Sequence, residues 1–111
     1  MKTRIMWIER KEGLAGPARI GRVTFSKTLK SIHYAGKTFQ SLTGRASKAN
    51  YYDVDSGEEY WISGCRKDGR DALYNTSVEV DEDVREEYWS KIRELPEKIQ
   101  VTTFRALGKC R

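Results

Sequence analysis

Over most of the chain, apolar and polar positions alternate with the two-residue period of strands, and the helical period appears once. The run IMWIER, with Trp7 and Ile8 at its centre, reads as a first strand. KEGLAGPA follows and is a loop by its glycines and proline. In ARIGRVTFS, Val23 and Phe25 fall on one side and Arg22 and Thr24 on the other, as in a half-buried strand. SIHYAGKTFQSL reads as a hairpin with its tip at Ala35-Gly36, where glycine supplies a positive φ. TGRASKAN has no periodicity and only small, polar or basic residues, which makes it a surface loop suited to function.

The stretch KANYYDVDSGEEYWISGCRKDG reads mainly as a β-meander. Tyr52 and Val54 alternate with Asp53 and Asp55, placing the apolar pair inside. Beyond the turn, Tyr60 and Ile62 alternate with Trp61 and Ser63. Asp55-Ser56-Gly57 has the chemistry of a type I turn closed by a left-handed glycine in a bulge. A second tip is expected at Arg66-Lys67-Asp68-Gly69, with strands at Asp71–Tyr74 and Val78–Val80.

The helical period falls in DVREEYWSKIREL. Asp83 suits an N-cap, and Glu86 three residues later completes a capping box. Val84, Tyr88, Ile92 and Leu95 share one face, with Trp89 beside them, and Glu87 can pair with Lys91 on the wet side. Pro96 is the expected stop. Ile99–Phe104 reads as a last strand. The expected fold is α+β and mainly antiparallel, with about five to seven strands in a small bent sheet or SH3-like barrel and one C-terminal amphipathic helix over a face or opening. The whole of 1–111 reads as a single domain, with 1–5 a possible N-terminal extension and 105–111 a frayed basic tail.

Composition adds to this picture. Aromatic residues make up 11% of the chain, so rings fill much of the core and disorder is excluded. No apolar run approaches the roughly 18 residues of a membrane span. The charged N-terminus is unlike a signal peptide, so a cytoplasmic location with Cys65 and Cys110 reduced is expected; a disulfide between them would require export. The net charge is +5, unevenly spread: residues 1–50 hold eleven Lys/Arg and two acids, residues 51–111 ten Lys/Arg and fourteen acids. Such asymmetry suits a polyanion partner, and it equally suits two halves that neutralise each other across the fold.

Several chemistries fail on spacing. A calcium loop counted from Asp53 places Gly57 fifth instead of sixth and Gly64 at the ligating twelfth position, with no flanking helix. One histidine (His33) and two distant cysteines without a CxxC pair make no zinc site, so no metal or other cofactor is expected. Cys65 has Arg66 and Lys67 beside it, which would lower a thiol pKa, but no helix N-terminus and no base other than His33 is at hand; a structural cysteine is the reading adopted. The acids Asp81-Glu82-Asp83 and Glu86-Glu87 are accounted for by the helix start, and Glu58-Glu59 sit beside a turn. The serine-hydrolase elbow and the phosphate loop are absent from the sequence. No catalytic residue is assigned.

Three pieces, GPARIGRVTFSKT, KANYYDVDSGEEYWISGCRKDGRDALY and VEVDEDVREEYW, resemble a family of small bacterial proteins whose activity is not established. Its members begin at an MWIE motif, here Met6–Glu9, which makes the first five residues an extension or a start-site choice. Proteins similar to this one sometimes carry the name deoxyxylulose-phosphate synthase. A thiamine-diphosphate enzyme needs a large cofactor-burying interface and a GDG motif leading to an asparagine; Lys67-Asp68-Gly69 lacks the first glycine and the chain has room for neither domain. That activity is rejected.

The remaining constellation is basic and aromatic together. Lysine and arginine track phosphates while flat rings stack on bases. The leading expectation is a non-enzymatic binding module associated with nucleic acid through Arg19, Arg22, Lys37, Arg45, Lys48 and Tyr51. The alternative is a protein-interaction or toxin-neutralising module binding a protein partner through Tyr52, Tyr60 and Trp61.

Overall fold

The computed structural model describes residues 2–11, 16–28, 30–42, 49–69, 71 and 75–106. Eight strands are described: β1 (Thr3–Arg10), β2 (Ala18–Phe25), β3 (Ser31–Tyr34), β4 (Lys37–Ser41), β5 (Tyr51–Asp53), β6 (Glu59–Gly64), β7 (Thr76–Val80) and β8 (Thr103–Ala106). They follow the order β1-β6-β5-β4-β3-β2-β7-β8, and a further β1–β2 pairing closes the first six into a barrel. The pairings are antiparallel except β2–β7, which is parallel, with Ala18 opposite Val78 and Ile20 opposite Val80. Closure leaves β7 and β8 as a two-stranded flange on β2.

The turns form where their residues demand. Ala35 and Gly36 both take positive φ, 52° and 78°, the signature of a two-residue turn whose twist matches its strands. Gly57 (φ 78°) donates its N–H to the Asp53 carbonyl at 2.7 Å, and Gly69 (φ 75°) closes the Arg66 turn.

Alternation sorts the side chains into two cores. Met6, Ile8, Val23, Ile32, Phe39, Tyr60 and Ile62 fill the barrel. Ile5, Trp7, Ala18, Ile20, Val78, Val80, Val84, Tyr88, Trp89 and Ala106 form a second core between the outer face of the sheet and the helix. Strand β1 serves both, which is why IMWIE lacks clean alternation. Burying rings such as Trp7 and Trp89 is worth about 3–5 kcal/mol each by the usual cost of truncation to alanine. Glu9, buried on the helix side of β1, accepts from Trp7 Nε1 at 3.1 Å and pairs with Lys11 at 3.0 Å.

The helix runs eleven residues, Glu82 to Ile92, passing from 3-10 (Glu82–Val84) through α (Arg85–Glu87) to π (Tyr88–Ile92). Val84, Tyr88 and Trp89 are buried, with Ile92 and Leu95 packed beside them, as the periodicity predicts. The expected capping box does not form. Asp81 holds the N-cap position without a side-chain cap bond, because its carboxylate is taken by Arg19 and Tyr34. Glu87 pairs with Arg22 at 3.1 Å across the fold. The helix ends before Pro96, where the Leu95 N–H reaches the Trp89 carbonyl at 2.7 Å and Glu94 takes φ 57°.

Three further expectations are corrected. In β5 it is Asp53 that is buried and Val54 that is exposed, since the strand stops at Asp53 and its Oδ1 accepts the Asp55 N–H at 3.0 Å, folding Val54 into the turn. The last strand begins at Thr103, after a 3-10 turn at Pro96–Lys98, and takes in Arg105 and buried Ala106. The sheet exceeds the expected strand count because the N-terminal run, the flange and both hairpins all join it. The start of β1 includes Thr3–Ile5, paired with Arg22–Thr24. Residues 72–74 of the expected Asp71–Tyr74 strand, most of the TGRASKAN loop and residues 107–111 lie outside the described residues. No helix among the described residues is long and apolar enough to cross a membrane.

Candidate functional site: the two ends of the barrel

Strand directions sort the charges by barrel end. At one end, β1 finishes at Arg10, β2 begins at Ala18, the β3–β4 hairpin turns at Ala35-Gly36 and β5 leaves at Asp53. At the other, β1 begins, β2 leaves through Phe25 toward Lys27 and Lys30, and β4 leaves through Ser41. Backbone bonds tie that second end together: Phe25 N–H to the Lys2 carbonyl at 2.8 Å, Ser41 N–H to the Lys30 carbonyl at 3.3 Å, and Leu42 N–H to the Asn50 carbonyl at 2.9 Å.

The first end is laced with ion pairs joining the basic half of the chain to the acidic half. Arg19 bonds Asp81 through Nε (3.0 Å) and Nη2 (2.6 Å), and Glu79 through Nη1 (3.1 Å). Arg10 reaches Glu58 at 3.5 Å and Lys37 reaches Asp53 at 3.9 Å. Tyr34 donates its hydroxyl to Asp81 and accepts from Arg19 Nε at 3.2 Å. Burial, with the Asp81 bond, drives the Tyr34 pKa upward, and Asp81 with Tyr34 raises that of Arg19. Turn N–H groups, foremost that of Asp55, hold the Asp53 carboxyl below its usual range.

This knot sits at a fork. The edge of β2 remote from β1 pairs with β3 at Thr24 and Phe25 but with β7 at Ala18–Ile20, so β3 and β7 diverge at Gly21. A side chain at Gly21 would collide with Tyr34 and Asp81, so only glycine lets them meet there.

The second end is different. Lys2, Lys27 and Lys30 are exposed and make no ion pair among the described residues. Half-buried Phe25 and Tyr51 stand at this end, and burial raises the Tyr51 pKa. Leu42 and Asn50, paired through their backbones, also lie at this end.

The expected nucleic-acid set is therefore divided. Arg19 and Lys37 lie at the ion-paired end, and Arg22 points to the helix side, paired with Glu87. Tyr51 belongs to the open basic end, while Arg45 and Lys48 lie outside the described residues. Lys27 and Lys30 belong to the same basic, acid-free run of the sequence, Gly13 to Tyr52; strand direction separates them from Arg19 and Lys37, and Lys2 joins them through pairing of β1 with β2. Of the alternative set, Tyr52 is on the outer face of β5 with its hydroxyl on Gln40 (3.0 Å), Tyr60 points into the barrel and Trp61 packs toward the helix-side core.

Comparison of the chain with family models, curated proteins and solved structures finds no match in any of the three. Cys65 is half-buried, with its Sγ 3.9 Å from the Ile5 carbonyl. Burial, reinforced by Asp71, pushes its thiol pKa up against the pull of Arg4 and Arg93, the opposite of an activated nucleophile. Among the described residues no group of three His, Cys, Asp or Glu side chains is placed to hold a metal.

Proposed function

We propose that this protein is a non-enzymatic binding module that takes single-stranded nucleic acid on the basic end of its barrel. One observation carries the reading: Lys2, Lys27 and Lys30, left without acid partners among the described residues, are gathered by strand pairing at one end of the barrel. Of the other cations expected to bind phosphate, Arg19 and Arg22 are held by carboxylates, and Lys37 lies at the opposite end of the barrel. Free ammonium groups release phosphate counterions on binding, and Phe25 and Tyr51 add rings at the same end for bases to stack on.

The test is the anisotropy of a labelled single-stranded oligonucleotide titrated with the full chain at several salt concentrations. Affinity should fall linearly on a log–log salt plot. The double variant Lys27→Glu, Lys30→Glu should lower the slope by more than 1, at about 0.7 for each phosphate no longer neutralised. Lys37→Glu, at the opposite end, should leave it nearly unchanged. A salt-independent affinity, or equal weakening by both variants, refutes the proposal. If Trp61→Ala or Tyr52→Ala instead removes a co-purifying protein that charge reversal leaves bound, the protein-partner reading replaces it.

A further inference from the structure

The ion-paired end has a half-open cavity of about 350 Å³ at the barrel mouth. Its floor is Ile8, Phe39 and Tyr60, inward-facing residues of three different strands. Arg10, Arg19, Lys37 and the acid Glu79 also line it. The volume falls within the range of small-molecule sites, roughly 300–1,000 Å³, and barrel mouths are one of their regular locations. From this geometry we infer a second binding site, distinct from the nucleic-acid end, for a small organic monoanion with a flat apolar body.

Each part of that description answers to a feature of the mouth. The apolar floor favours a body that can leave water. Phe39 and Tyr60 meet edge to face, centroids 4.6 Å apart, which fixes both rings and keeps the floor in shape. The anionic group is set by the rim. Arg19 is held by Asp81 and Glu79 and contributes a stationary charge. Lys37 differs: its ammonium is 3.9 Å from Asp53 and its side chain 46% exposed, so it can swing to an incoming carboxylate without breaking a short bond. An ammonium has three donors to share, and Asp53 keeps its turn N–H partner when Lys37 moves.

The limit of one negative charge comes from the acids. Asp53, Glu58, Glu79 and Asp81 all lie around this end, so a phosphate chain would meet four carboxylates at close range. A ligand with one charge and an apolar body gains the floor and the Lys37 contact while adding little repulsion. The same acids separate this site from the opposite end, where the described cations have none.

The probe is 3-phenylpropionate, titrated into isotopically labelled full-length protein and followed by amide chemical shifts. Its neutral counterpart 3-phenylpropanamide and the bodiless anion acetate serve as comparisons. Saturable shifts are expected at Ile8, Arg19, Lys37, Phe39 and Tyr60, with both comparison compounds at least about tenfold weaker, the size of effect a charged hydrogen bond commands. Lys37→Met, an exposed change whose spectrum elsewhere reports its folding, should weaken phenylpropionate about tenfold and leave the amide unaffected. The inference is overturned if the shifts do not saturate, if they fall at Lys27 and Lys30 instead, if the amide binds as well as the acid, or if Lys37→Met changes nothing.

Discussion

Tyr34 and Asp81, forty-seven positions apart, share a hydrogen bond over the bare backbone of Gly21, and Arg19 bridges both. The contact fastens the end of β3 to the end of β7 where their pairings with β2 part. It joins barrel to flange, and so links the mouth to the element that carries the helix.

Removing either partner should loosen that fork. Tyr34→Phe should cost about 1 kcal/mol and Asp81→Ala about 1–3 kcal/mol, since Asp81→Ala leaves the Arg19 guanidinium short of its main acceptor. Denaturant unfolding of both single variants and the double should give a coupling energy of at least about 0.5 kcal/mol. Strict additivity would show that the bond contributes nothing.

Gly21→Ala should be the more damaging change although it adds one methyl group. The new Cβ would lie 2.6 Å from Asp81 Oδ2 and 2.8 Å from the Tyr34 hydroxyl, so both must withdraw. Overpacking of this kind costs about 1–3 kcal/mol. In a Tyr34→Phe, Asp81→Ala background the penalty should shrink; thermal unfolding of the four proteins decides.

Acid should weaken the β5–β6 turn through Asp53. Its carboxyl titrates below the ordinary value in the folded chain because N–H groups of the turn favour the charged form. The stability it contributes is therefore complete above the unfolded pKa of about 4 and is lost as pH falls through the lower folded value. Asp53→Asn should flatten the acid limb of a stability–pH curve; an unchanged limb would remove Asp53 as its source.

Base should act through Tyr88, pushed up to about 12 by burial in the helix-side core. Here the sign is reversed. The neutral phenol is favoured in the folded chain, so its stability is present below about 10 and declines as pH rises toward the folded value. Tyr88→Phe should retain more of its neutral-pH stability at pH 11 than the parent does, as read by urea midpoints.

Cys65 should react slowly. With its thiol half-buried and its pKa raised, iodoacetamide at pH 8 should modify it well below the rate of a free cysteine in a Cys110→Ser background. Rapid labelling of native protein would restore the case for an activated thiol.

Local chemistry made much of the fold legible. The Ala35-Gly36, Gly57 and Gly69 turns, the inward Tyr60 and Ile62, and the Val84-Tyr88-Trp89 face are each written within a few residues, because turn geometry and periodicity depend on near neighbours. The misses share a cause. The helix began at Glu82, ahead of the expected Asp83 cap, on an Asp81 whose carboxylate is taken by Arg19 and Tyr34; Glu87 left Lys91 and Asp53 turned inward, because each found a partner or a turn that a local pattern does not contain.

Sequence by itself determined that this chain is a ring-rich, mainly antiparallel β protein with one amphipathic helix and a charge asymmetry between its halves. Only the tertiary structure decided how that asymmetry is used. Pairing β1 with β6, β2 with β7 and β4 with β5, and packing the helix beside β2, sets Arg10, Arg19, Lys37 and Arg22 against carboxylates of the other half and leaves Lys2, Lys27 and Lys30 outside those pairs. The reason is reach: a charge's partner is fixed by distance in space, over a few ångströms, and strand pairing and helix packing bring together residues that lie far apart along the chain.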